Sequence, residues 1–214
     1  MKDFVNRYGH FKIHSQQGEE GICIEAFKRL GVVRGNVCEF GAHNGSFCSN
    51  SRYWLDKGWH GLLIEADRYL YRDLITSGLD HRLVKCKREF VSPENVNELL
   101  EGIEFDLLSI DTDSNDYEIW KAYQGKPKVV IIEIDSCIPP AERKFNRHGG
   151  AGYLPMVELG IQKGYFLLCH TGNLVFIDQQ YWEKFPEIKE DPITNPDEYF
   201  NKSWLHLYNE KNFS

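Results

Sequence analysis

The sequence predicts an α/β fold with a doubly wound, mostly parallel sheet. Three observations carry that expectation. Short apolar runs recur along the chain with helical stretches between them, the rhythm of strand–crossover–strand units. Two runs, "FDLLSID" and "KVVIIEID", are apolar almost throughout, as strands covered on both faces are. The last two, "YFLLCHT" and "NLVFID", are separated only by Gly172 and its neighbours, too short a gap for a crossover helix. They therefore form an antiparallel hairpin, placed at one edge of the sheet.

The elements follow in order. "SQQGEEGICIEAFKRLG" (15–31) is a polar loop leading into an amphipathic helix, within an N-terminal helical or cap segment over 1–35. The core runs over 36–178. "NVCEFGA" (36–42) is the first strand, with a helix over about 46–57. "GLLIEAD" (61–67) is the second, with a helix from Tyr69. "RLVKCKREF" (82–90) is a weaker third, and Ser92 and Pro93 suit the cap and first turn of the helix after it. The fourth strand (105–111) precedes the helix "NDYEIWKAY". The fifth (128–135) is the most β-branched and central, and "YLPMVELGIQKG" is the helix before the hairpin. The tail, 179–214, reads as a surface segment or lid. No repeat or Pro/Gly/Ser linker divides the 214 residues, so a single domain over 1–214 with its own core is expected.

Composition narrows the partners. Lys+Arg of 25 against Asp+Glu of 32 gives a net charge of −7, poorly suited to neutralising nucleic-acid phosphates. Two local basic clusters stand against that balance: Lys85, Lys87 and Arg88, and Arg143, Lys144, Arg147 and His148. The N-terminus has no apolar core of signal-peptide type, and no apolar run is long enough to span a bilayer. Six scattered cysteines without a CxxC pair suit small reduced core residues. Cytoplasmic residence is the expectation.

In an open parallel sheet, ligands bind at the carboxyl ends of the strands. Acids crowd there: Glu39, Glu65 with Asp67, Glu89, Asp111 with Asp113, and Glu133 with Asp135. Buried carboxylates are costly without partners, so their recurrence points to a ligand site. In "CEFGAHNGSF", Gly41 and Gly45 let the backbone turn and approach a ligand, and the helix start beyond offers free N–H groups. Glu65 can accept from both hydroxyls of a ribose. The pattern E-x-G-x-x-x-G lacks the middle glycine of a dinucleotide fingerprint, which favours a nucleoside without a pyrophosphate and disfavours an NAD-dependent oxidoreductase. The bland alternative is a tight strand–helix turn.

Asp111, Glu133 and Asp135 end adjacent strands and could bracket a hard cation such as Mg²⁺, or be hydrogen-bonded structural acids around a cofactor. "DTDSND" lacks the glycine and distant glutamate of an EF-hand loop, and Asp116 could cap the next helix. Among eight histidines, His43 lies in the glycine loop, His170 between the last strands, and His148 in the glycine-bearing "RKFNRHGGAGY". His148 is the candidate general base, because loops after the fifth strand face the crevice.

The ordered set "SQQGEEGI", "CEFGAHNGSFCSNSRYWLDKGWHGLLIEAD", "FDLLSIDTDSNDYEIW", "VVIIEIDSCIPP" and "GYFLLCHTGNLVFID" resembles the FkbM-like group of S-adenosylmethionine-dependent methyltransferases, over about residues 15–178. The resemblance implies a Rossmann-like class I methyltransferase fold, a seven-stranded sheet ending in that hairpin, and O-methylation of a sugar or glycan hydroxyl. It puts Glu39, Gly41 and Gly45 on the methionine side of the cofactor, Glu65 on the ribose hydroxyls and Gln16 or Gln17 over the pocket, with His43, Asn44 and Ala66 also among the cofactor-binding residues. Asp111 would touch cofactor and act in catalysis, with Asp111, Glu133 and Asp135 as a metal set. The group carries Asn where this chain has Asp135, and the added charge either strengthens a metal site or contacts substrate. The implied partner is a small-molecule or glycan substrate, without nucleic acid or membrane span; homo-oligomerisation stays open. A non-catalytic S-adenosylmethionine-binding module is the alternative from another class.

Overall fold

A computed structural model describes residues 2–113 and 115–205; Ser114 of the acidic run and the last part of the proposed lid, 206–214, lie outside them. Seven strands form one sheet: β1 (Asn36–Phe40), β2 (His60–Glu65), β3 (Val84–Arg88), β4 (Leu107–Ile110), β5 (Val129–Glu133), β6 (Tyr165–His170) and β7 (Asn173–Asp178). Their order is β3-β2-β1-β4-β5-β7-β6. The first five are parallel, β7 runs antiparallel between β5 and β6, and β6 forms the edge of the expected hairpin.

Strands β4 and β5 are buried on both faces except for Glu133, as their unbroken apolar sequence requires. Helices α1 (Lys2–Tyr8), α2 (Glu19–Leu30), α3 (Arg52–Asp56), α4 (Arg68–Ile75), α5 (Val96–Leu99), α6 (Asp116–Ala122) and α7 (Tyr153–Gln162) accompany the sheet. One continuous apolar cluster joins them, with Phe27, Phe40, Trp59, Trp120 and Phe176 fully enclosed. Burying such a side chain contributes about 1.5–3 kcal/mol each.

Several boundaries differ from the sequence expectation, each for a local reason. The helix after β1 begins at Arg52, not near 46. His43, Gly45 and Cys48 all hold positive φ, and Asn44 Oδ1 accepts from Ser46 N and Phe47 N, so the chain spends 41–51 in a compact loop. β2 stops at Glu65 because Asp67 turns to cap α4, accepting from Tyr69 N and Leu70 N. Ser92 is not a helix cap: its N–H donates to Asn95 Oδ1, and α5 is a single turn after Asn95.

The tail packs on the hairpin side. Phe185 and Phe200 are fully buried, and the Phe200 ring stacks on His170 at 4.4 Å between centroids. All six cysteines are free thiols. Among the described residues no helix is long and apolar enough to cross a membrane.

Candidate functional site

The strand order reverses between β1 and β4, and a cavity of about 470 Å³ opens there at the carboxyl ends of the strands. Pleat parity builds it. Glu39 is in register with Leu63 on one side and Ser109 on the other, and Ser109 with Ile131. Residues two further along share that face: Glu65, Gly41, Asp111 and Glu133. All four line the cavity. In the middle of that row Gly41 has φ +67°, and a Cβ there would lie 1.8 Å from the Asp111 carbonyl oxygen. The glycine lets β1 and β4 deliver their ends side by side; the volume a side chain would need first is occupied by backbone.

Glu39 is almost wholly buried and fully engaged. Its Oε1 accepts from Asn50 N at 2.7 Å, and Oε2 accepts from the hydroxyls of Ser49 at 2.7 Å and Ser51 at 2.5 Å. Burial pushes its pKa up, while those donors favour the ionised form. It fixes the floor of the cavity by anchoring residues 49–51. Glu65 is buried, and each oxygen takes one backbone donor: His43 N at 2.8 Å and Asp67 N at 2.7 Å. A carboxylate oxygen has two acceptor sites, so each retains one. Ala66, His43 and Gln16 also line the cavity. The His43 Nδ1 and Asn50 Oδ1 atoms are enclosed without a hydrogen-bond partner.

Asn44 and Gly45 do not line it. Asn44 closes the loop turn described above, and a Cβ on Gly45 would meet Leu74 Cδ1 at 2.5 Å, so this glycine serves the packing of α4.

The acidic group differs from the sequence expectation in one member. Asp111, Asp113 and Glu133 each place a carboxylate oxygen within 4.8 Å of the others. Asp135 is outside this group: Oδ1 accepts from Cys137 N at 3.0 Å and Oδ2 from Asn146 Nδ2 at 3.0 Å. The strand ends at Glu133, so the alternation that would keep Asp135 on Glu133's face is lost. Asp113 enters instead through a left-handed turn at φ +63°. Its signal was in the sequence, two residues beyond Asp111, but the turn was not.

Burial raises Asp111, with Asp116 adding repulsion, and burial raises Glu133 further, with Asp111 adding repulsion. The two carboxyls share the site closely enough that they titrate as a pair, with Glu133 the one held more strongly in its neutral form. Asp116 does not cap α6; its Oδ1 accepts from both N and Oγ1 of Thr112 and stiffens the turn that carries Asp113.

A second pocket of about 240 Å³ adjoins the first and shares Gln16, Asp113 and Glu133 with it. Asp135, Asn146, Asn173 and Trp204 complete its wall. A Cβ on Gly172 (φ +130°) would lie 2.6 Å from the Trp204 ring, so the glycine admits the indole. No described Lys or Arg lines either pocket.

His148 is exposed, accepts from Arg147 Nε at 2.9 Å, and lines neither pocket. His170 is buried and accounted for. Its Nδ1 accepts from Asn201 N at 3.0 Å, so Nε2 carries the hydrogen toward Ser136 Oγ at 2.8 Å, and Ser136 donates to the Gly172 carbonyl. The sequence reading missed Asn50 and the apolar side of the cavity, Leu70, Phe90 and Val91, because these come from two loops and the first turn of α4, which only folding gathers.

In sequence, no family model matches the chain, and no curated protein matches it. Solved structures do. A Staphylococcus aureus protein provisionally named a caffeoyl-CoA O-methyltransferase matches 82% of this chain and 88% of its own at 15% identity, with a TM-score of 0.53. The N-terminal domain of EvdMO1, solved with S-adenosylhomocysteine bound, matches 76% of this chain and 80% of its own at 10% identity, with a TM-score of 0.51. The chain has the methyltransferase fold. At such identities the shared property is the fold, and activity must be argued from the site.

Proposed function

We propose that this chain is an S-adenosylmethionine-dependent O-methyltransferase of FkbM-like type, acting on a sugar or glycan hydroxyl. The observation that carries the proposal is the row Glu65–Gly41–Asp111–Glu133, set across four parallel strand ends on one cavity at the reversal of strand order.

The residues fit the cofactor. Glu65 has acceptor capacity for ribose hydroxyls, and Leu70, Phe90 and Val91 offer apolar surface for a purine. The acidic lining without Lys or Arg suits a sulfonium cation, and the unpartnered His43 Nδ1 and Asn50 Oδ1 await polar ligand atoms. S-adenosylmethionine, when bound, supplies an activated methyl group. The protein's own work is placement: the acceptor occupies the second pocket, where Asn146, Asn173 and Trp204 offer polar groups and a ring face. Its hydroxyl then lies beside the residues common to both pockets, and such positioning is a large part of a displacement reaction. Asp111, raised to about 7 by burial, is the carboxylate placed to take the hydroxyl proton, and it does so in its ionised form while Glu133 keeps its own proton. Asp111, Asp113 and Glu133 are hard oxygen donors whose mutual repulsion a divalent cation such as Mg²⁺ would relieve.

Calorimetry with S-adenosylmethionine and NAD, followed by conversion to S-adenosylhomocysteine with a panel of sugars, tests the proposal. Binding of the former with turnover is expected. Binding without turnover for any acceptor class would leave a binding module, and preference for NAD would overturn the assignment. Excess EDTA is expected to stop turnover while cofactor still binds; full turnover in EDTA removes the metal.

A further inference from the structure

Asn50 is held in the cavity wall at two points. Its backbone N–H donates to Glu39 Oε1 at 2.7 Å, and its Nδ2 donates to Ser109 Oγ at 3.0 Å. The residue is 4% exposed and lines the main cavity, yet its Oδ1 has no donor. An enclosed amide oxygen without a partner is costly, and native structures seldom keep one without a reason. The terminal torsion of an asparagine is broad, so the amide can turn to present this oxygen to the cavity that its residue lines.

The surroundings define what would meet it. Glu39, the adjoining acid, has both oxygens occupied by residues 49–51. Asp111 is grouped with Asp113 and Glu133, their carboxylate oxygens within 4.8 Å of one another. Of the enclosed side-chain oxygens lining the cavity among the described residues, Asn50 Oδ1 is the one left without a donor. The neighbours are acidic and no described Lys or Arg faces the cavity, so the matching group is a cationic donor and not a carboxylate.

We infer that Asn50 Oδ1 is the receptor for the ammonium of the cofactor's amino-acid portion, with Ser109 as its positioning residue. This rests on the cofactor assignment above. It makes the wall formed by 49–51 a selectivity element: it distinguishes amino-acid-bearing adenosyl thioethers from those that lack the amine.

Three probes separate the outcomes in direct binding measurements: S-adenosylhomocysteine, its analogue lacking the amino group, and 5′-methylthioadenosine. Wild-type protein is expected to bind the first about 10- to 100-fold more tightly than the second, the range for a hydrogen bond to a charged group. Asn50→Ala is expected to lose that factor for S-adenosylhomocysteine and to change the other two less than about twofold, on the same scale. Equal wild-type affinity for the first two probes overturns the inference without needing a variant. Equal loss for all three in folded Asn50→Ala also overturns it, leaving Asn50 as a shaper of the wall. Failure of wild-type protein to bind any of the three would sink the cofactor assignment instead.

Discussion

Glu65 illustrates how one side chain serves architecture and ligand together. Its oxygens hold the amides of His43 and Asp67, fixing the glycine loop and the entry to α4, and still have capacity for a diol. Removing the whole carboxyl would disturb both roles; Glu65→Gln is the milder change, removing the charge and keeping one acceptor at the cost of one of the two backbone bonds. S-adenosylmethionine binding is expected to weaken about tenfold, the low end for a charge-assisted bond, with folding retained. Unchanged affinity by calorimetry would remove Glu65 from the ligand. Gly41 makes the complementary point. A side chain there collides with the Asp111 carbonyl, so Gly41→Ala is a folding variant and says little about binding.

At the scale of elements, α7 packs on the hairpin whose Gly172 and Asn173 line the second pocket. Gly160, inside α7, lies so close to Phe176 of β7 that a Cβ would approach Phe176 Cε1 to 2.4 Å. Helix propensity favours alanine over glycine by up to about 1 kcal/mol, whereas overpacking against an enclosed ring costs about 1–3 kcal/mol. Gly160→Ala is therefore expected to lower stability in denaturant titration; a stabilised variant would show that the helix can move off the sheet at no cost. The tail depends on a histidine in the same region. Burial pushes His170 down to about 3, and its neutral ring accepts from Asn201 N beside the stacked Phe200. The unfolded chain protonates this histidine near pH 6.5 and the native chain does not. The unfolded state thus binds more protons between those values, and stability falls as pH drops below 6.5, by up to about 1.4 kcal/mol per pH unit. Limited proteolysis should cut within 179–205 more readily at pH 5 than at pH 7. Cleavage independent of pH would show that His170 does not hold the tail.

For the whole molecule, the site is where sequence-distant segments meet, so ligand and fold are coupled. A ligand that binds only the native state at 100 times its Kd adds about 2.7 kcal/mol. For a chain of this size that raises Tm by roughly 5–10 °C. Saturating S-adenosylhomocysteine is expected to do so and NAD is not. Mg²⁺ is expected to add a further shift that EDTA reverses and that Asp113→Asn abolishes. A Tm indifferent to S-adenosylhomocysteine would mean that the cavity does not take it.

The sequence by itself determined the sheet and the location of its chemistry. Apolar runs at crossover spacing name the five parallel strands, the short gap at Gly172 names the hairpin, and acids at the strand ends mark the ligand edge. These are local signals, because strand period and loop length are properties of contiguous residues. Which acids cooperate was decided only by tertiary structure. Register across β2, β1, β4 and β5 aligned Glu65, Asp111 and Glu133; the end of β5 released Asp135, and a left-handed turn brought in Asp113. Asn50 became conspicuous, and His148 was left in solvent, for the same reason. Burial and hydrogen-bond partnership depend on segments tens of residues apart, and no contiguous stretch of chain encodes them alone.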